Sequence, residues 1–152
     1  MPDPSDEDVL AALRSAPPDA VDRLRLAVGD YRSATGPLVQ WRGGRDPAGT
    51  ASADSAYPVY DDRVWELLGA LQAVGAFVVF DWMHWKRAAV VRDVRLASSA
   101  PVADLARLVT VLLRGERFGD GVIAGAVEAG VLPILAERVL GFLDDRDVTP
   151  RR

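Results

Sequence analysis

The stretch Ser99-Ala100-Pro101-Val102-Ala103-Asp104-Leu105-Ala106-Arg107-Leu108-Val109-Thr110-Val111-Leu112-Leu113 decides the fold. Val102, Leu105, Leu108, Val109, Leu112 and Leu113 recur at helical spacing and give one wide apolar stripe. Pro101 suits the start of such a helix, because its fixed φ matches the first turn and its missing N–H is not needed there. Downstream, Gly115, Gly119 and Gly121 fall within seven residues and break the pattern. The helix is therefore expected to stop near Arg114. Leu105, Leu108, Val109, Leu112 and Leu113 are the predicted core, joined by Leu68, Leu71, Leu135 and Val139.

Helical spacing also governs the flanks. Beyond the glycines, a helix is predicted from Val122 to Ala129, stopped by Gly130, and a last one carries Leu132, Leu135, Val139, Phe142 and Leu143. Upstream, Asp61 caps a helix with Val64, Leu67, Leu68 and Leu71 on one face, and Gly75 stops it. Ala76-Phe77-Val78-Val79-Phe80 is short and β-branched, and reads as a buried extended piece. Asp81 is expected to cap a helix from Trp82 to about Val91, followed by loop or a short strand at 93–98. Near the start, Ser5 caps a short helix carrying Val9, Leu10 and Leu13. Pro18 opens a second, with Val21, Leu24, Val28 and Tyr31. Leu38 to Trp41 could be extended, and 42–56 has no periodicity.

The predicted fold is thus mainly α: a single compact domain, 1–152, of about six or seven helices, with at most a minor extended segment near Phe77–Phe80. Residues 1–8 and 144–152 are expected to fray, and 42–56 to form a long loop.

Composition narrows the chemistry. The chain has 152 residues, 49% hydrophobic and 26% charged, which suits one globular domain. It has no Cys and one His, His84, so disulfides, thiol nucleophiles and multi-histidine metal sites are excluded within the chain. No metal site or cofactor is predicted. The acidic start and the lack of an 18-residue apolar run argue against a signal peptide or membrane span, and the expected compartment is the cytoplasm. Net charge is −4, and Lys86, Arg87, Arg92 and Arg95 form only a short basic stretch. Nucleic-acid binding is disfavoured on that balance. Seventeen Arg against one Lys, with abundant Ala, Gly and Pro, suggests a GC-rich bacterial genome.

Three constellations could carry chemistry. In Asp81-Trp82-Met83-His84-Trp85, a helix would place Trp82 and Trp85 on one face, where two indoles could stack a flat ligand. The plainer alternative is a cap, two core tryptophans and a polar histidine. In Arg114-Gly115-Glu116-Arg117-Phe118-Gly119-Asp120-Gly121, two guanidinium groups beside a helix start could hold an anion. The favoured alternative is structural: at least one of Arg114 and Arg117 pairs with Glu116, Asp120, Glu128 or Asp81. Trp41-Arg42-Gly43-Gly44-Arg45 is the third, read mainly as a solvated loop. The candidate ligand-binding residues are therefore Trp41, Asp81, Trp82, Trp85, Arg114, Arg117 and Asp120. No catalytic residue is assigned, because no nucleophile elbow, phosphate loop or dinucleotide fingerprint occurs.

Taken together, Trp41-x-Gly43, Tyr57-Pro-x-Tyr60, Phe80-Asp81-Trp82-x-x-Trp85 and Arg114-x-x-Arg117-Phe118-x-Asp120-Gly121 resemble the pattern of a bacterial family of unknown function over Trp41 to Leu140. Asp120 stands where that family more often has Glu. The resemblance implies a domain extent and a choice of residues, but no reaction.

The function expected first is a non-enzymatic binding or protein-interaction module, with a protein partner or self-association through an apolar helix face. A small-ligand or anion-binding domain using Trp82, Trp85, Arg114 and Arg117, with hydrolysis as an option, is the alternative. A nucleic-acid-associated protein comes third.

Overall fold

The computed structural model describes residues 2–43, 56–86, 88–119 and 121–147. Most of the predicted loop (44–55), Arg87, Asp120 and the tail 148–152 lie outside the described residues. The fold is mainly α. Among the described residues are seven α-helices: α1 (Asp6–Arg14), α2 (Pro18–Arg32), α3 (Asp62–Ala73), α4 (Val94–Ser99), α5 (Val102–Phe118), α6 (Val122–Glu128) and α7 (Val131–Asp147). Two short strands, β1 (Val39–Arg42) and β2 (Tyr57–Tyr60), pair antiparallel with Val39 opposite Tyr60 and Trp41 opposite Pro58.

α5 is the centre. Leu105, Leu108, Val109 and Leu112 are fully buried, as are Leu68, Leu71, Leu135 and Val139 from α3 and α7. Leu113 is the exception among the predicted core residues; it is half-buried. α5 is covered on nearly all sides, so even Asp104 and Thr110 are buried, each with a polar partner. α2 packs against α3 and α7, α1 against α5, and α4 against α7.

Helix ends leave unpaired N–H and C=O groups, and here neighbouring helices supply many of the partners. Pro101 at the start of α5 has no capping side chain. Asp6 of α1 accepts the Ala103 N–H instead, at 2.8 Å. Arg146 of α7 donates to the Leu13 and Ala16 carbonyls at the end of α1, at 2.7 and 3.1 Å. Arg138, two turns earlier on α7, donates to the Ala97 and Ala100 carbonyls at the end of α4.

Several expectations are corrected. At the start, Ser5 and Asp8 form a reciprocal capping box and Asp6 is bonded to α5. The helix expected from Trp82 is a single 3-10 turn, Trp82–His84, followed by another at Ala88–Arg92. Asp81 does not cap it, since its carboxylate turns to His84 Nδ1 at 2.9 Å. Residues 94–99 are helix rather than loop or strand, because Asp93 accepts the Arg95 and Leu96 N–H groups. α5 continues through Gly115 to Phe118. Among the described residues, Ala76 to Phe80 pairs with no strand. The extended pairing lies at β1 and β2, and no strand was expected at β2.

Candidate functional site

The end of α5 organises the candidate residues. Gly115 allows α6 to come close: a Cβ there would lie 3.3 Å from both γ-methyls of Val122. One residue on, Glu116 caps α6 from outside. Its Oε1 accepts the Gly121 N–H at 3.2 Å and its Oε2 the Ile123 N–H at 2.9 Å. The Tyr60 hydroxyl donates to Oε1 at 2.6 Å and accepts the Ala124 N–H at 2.9 Å. One carboxylate and one phenol thus replace the side-chain cap that Gly121 cannot provide, and they tie β2, α5 and α6 together.

That use of Glu116 leaves Arg114 and Arg117 without it. Asp81 faces His84, and Glu128 accepts the Trp41 indole N–H at 2.9 Å. Among the described residues, neither arginine has a carboxylate within 4.0 Å. The expected ion pair with Glu116, Glu128 or Asp81 is absent, because each acid is bound elsewhere; Asp120 lies outside the described residues.

Both arginines instead line a cleft of about 390 Å³ with Trp65, Gln72, Phe77, Leu113 and Glu116. Trp65 and Gln72 stand two turns apart on α3, and the Trp65 ring meets Tyr60 edge-on at 5.4 Å. Phe77 lies under the Arg114 guanidinium, 5.8 Å from it, a cation–π arrangement. Leu113 is half-buried because it forms part of this wall.

The two predicted tryptophans do not share a face. Trp82 sits on the 3-10 turn against Phe118, with ring centres 5.7 Å apart, whereas Trp85 leaves the turn extended and meets Phe80 edge-on at 5.8 Å. Neither lines the arginine cleft. Trp82 borders a separate hollow of about 430 Å³ with Met83, Val91, Arg92, Val111 and Val122. The Asp81–His84 pair is largely exposed.

Trp41 is placed elsewhere again. Its indole lies over Gly121, where a Cβ would be 3.0 Å from the ring, and Gly121 has φ +104°. It borders a third hollow, of about 470 Å³, with Arg92, Gly125, Glu128 and Ala129. The six described candidates therefore do not converge: Arg114 and Arg117 share one cleft, Trp82 and Trp41 border two other hollows, and Asp81 and Trp85 line none of the three. Trp65, Gln72, Phe77, Tyr60 and Glu116 were not among them. Trp65 carried a signal, since it is a large aromatic residue off the apolar stripe of its helix.

Among the described residues no group of three or more His, Asp or Glu could hold a metal ion, and no helix is long and apolar enough to cross a membrane. No curated protein and no solved structure matches the chain. Residues 16–144, from just before α2 to the last turns of α7, match the model of a Family of unknown function (DUF6508), and the chain belongs to that family.

Proposed function

We propose that the protein is a non-enzymatic binding domain for a small organic anion with an apolar or aromatic body, held in the cleft between α3, Phe77 and the end of α5. One observation carries this reading: two adjacent guanidinium groups face an aromatic-walled cleft with no carboxylate paired to either among the described residues. Arginine presents a planar fork of donors that matches a carboxylate or phosphate. Trp65, Phe77 and Leu113 offer surface for the rest of the molecule, and Gln72 adds a polar group. A volume near 390 Å³ falls within the range of small-ligand sites, roughly 300–1,000 Å³. Among the described residues the lining has no Ser, His or Asp. The carboxylate among them, Glu116, is committed to α6 and Tyr60. Those commitments favour binding over acid–base or nucleophilic chemistry.

A thermal-shift screen of aromatic carboxylates, phosphate monoesters and their uncharged amides or alcohols tests it. The acids are expected to raise the melting temperature by mass action, about 2.7 kcal/mol of stabilisation at one hundred times Kd. The uncharged analogues should not. Arg114→Ala and Arg117→Ala should each weaken binding roughly tenfold or more, as loss of a charge-assisted pair does. Equal shifts from charged and uncharged compounds, or shifts unchanged in both variants, would count against the cleft.

A further inference from the structure

We infer that the hollow beside Trp82 and Met83 docks the outward face of α2 from a second copy of this chain. The hollow, of about 430 Å³, has apolar or glycine walls except for Arg92. At its edge Met83 is 70% and Phe118 79% exposed, and Phe118 is joined to the hollow through its contact with Trp82. A contiguous apolar patch of this kind on a surface marks a place where another surface sits.

Charge indicates the occupant. Arg92 lies against Gly125 of α6 and has no carboxylate within 4.0 Å among the described residues. Glu128, which borders the far side of Arg92, is held by the Trp41 indole. The hollow therefore presents an apolar recess with the Arg92 guanidinium at its wall.

The complementary pattern lies on α2. Asp19, Asp22, Leu26 and Asp30 fall on one stripe of that helix, facing outward. Leu26 is 71% exposed, and none of the three aspartates has a cation within 4.0 Å among the described residues. Arg23, beside them, is taken up by Glu66 at 2.7 Å. An apolar side chain set among three carboxylates thus matches an apolar recess that carries the Arg92 guanidinium. Docked, Leu26 enters between Trp82 and Met83, while Asp22 faces Arg92. The two faces are different parts of the surface, so the contact is heterologous and adds copies head to tail. It is small and partly electrostatic, hence weak and salt-sensitive.

Sedimentation velocity over a range of protein concentrations tests this, at about 50 mM and about 500 mM NaCl, where screening differs strongly. Average mass should rise with concentration at low salt, and the association should weaken roughly tenfold at high salt. Leu26→Asp should abolish it. Asp22→Arg and Arg92→Asp should each give monomers, and mixing these two variants should restore association, because each swapped face then meets its complement. Circular dichroism confirms that each variant is folded. Monomers at every concentration and both salts would overturn the inference, as would an association that survives the single substitutions or that mixing fails to restore. Neither Asp22 nor Arg92 lines the arginine cleft, so ligand-induced thermal shifts should be the same in these variants.

Discussion

The Thr110 hydroxyl takes both backbone polar groups of Val78: it accepts the Val78 N–H at 3.0 Å and donates to the Val78 carbonyl at 2.7 Å. Thr110 is 1% exposed in the middle of α5. One side chain therefore does for Val78 what a neighbouring strand would do. It holds Phe77 in the wall of the arginine cleft. Thr110→Val keeps the shape and removes both bonds. It should cost about 2–3 kcal/mol, since two backbone groups lose their partner. Thr110→Ser should cost about 1 kcal/mol, for the lost methyl. Urea unfolding of the two variants checks the order.

Glu116 and Tyr60 should behave as one unit. Glu116→Ala strips the cap from α6 and should cost about 3 kcal/mol. Tyr60→Phe should cost about 1 kcal/mol, and the double variant less than the sum, because the two groups share a hydrogen bond. A double-mutant cycle by chemical unfolding measures the shortfall. Strict additivity would mean that the pair is not coupled in solution.

Two glycines, Gly121 just before α6 and Gly125 within it, should respond oppositely to alanine. Gly121→Ala meets a φ of +104° and the Trp41 ring, and should cost about 2 kcal/mol or more. It should also displace the indole and change tryptophan fluorescence. At Gly125 an added Cβ would meet Arg92 Nε at 2.6 Å, the end of a flexible side chain. Here the helical preference for alanine offsets the crowding, and stability should stay within about 0.5 kcal/mol of the parent. A shared response at both sites would contradict the placement of Trp41.

Stability should fall at both ends of the pH range. The Ser5 backbone N–H and then its hydroxyl hold Asp8 below the usual carboxylate value; the Arg63 N–H does so for Asp61, and the Arg23 guanidinium for Glu66. These groups bind fewer protons folded than unfolded, so their contribution is present above the ordinary values of 3.8 and 4.5 and is lost as acid protonates the folded forms. At the alkaline end, burial pushes the Tyr31 hydroxyl up from 10.0 to about 12. The unfolded chain ionises first, so stability drops as pH rises from 10.0 toward about 12. Melting temperature against pH, compared with Asp8→Asn and Tyr31→Phe, should show each variant flattening its own limb.

Much of the helix layout was legible because it follows local rules. Val102 to Leu112 shows a period that only a helix can bury, and Ser5 and Asp61 cap helices as their side chains suggest. What was illegible depends on distant partners. Tyr57–Tyr60 contains a proline and no alternation, and becomes a strand because Val39–Arg42 lies beside it. Ala76–Phe80 reads as a strand by composition, yet its partner is a threonine on a helix. The glycines after Arg114 suggested a break, but burial of Gly115 against Val122 carries α5 another turn. The arginines were expected in the joint beyond α5 and lie within its last turns instead, and their partners were not foreseen, because what they meet depends on where Glu116 is spent. Trp82 and Trp85 were read on a helical wheel that Asp81, by turning to His84, does not start.

Arg138 and Arg146 have a consequence for the order of assembly. Both stand on α7, and between them they close the ends of α4 and α1, elements 38 and 133 residues earlier in the chain at their most direct contacts. While the polypeptide emerges from a ribosome, α1 to α6 are complete before either guanidinium group is available. Their trailing carbonyls, and the apolar side of α2 that packs on α7, stay open to water until the final helix arrives. The molecule is built like an arch whose keystone is set last: the earlier pieces have their shape in advance, but they can bear load only after closure. A nascent chain stalled before residue 138 should therefore be cut readily by protease in α1 and α4, and a chain extended past 146 should resist.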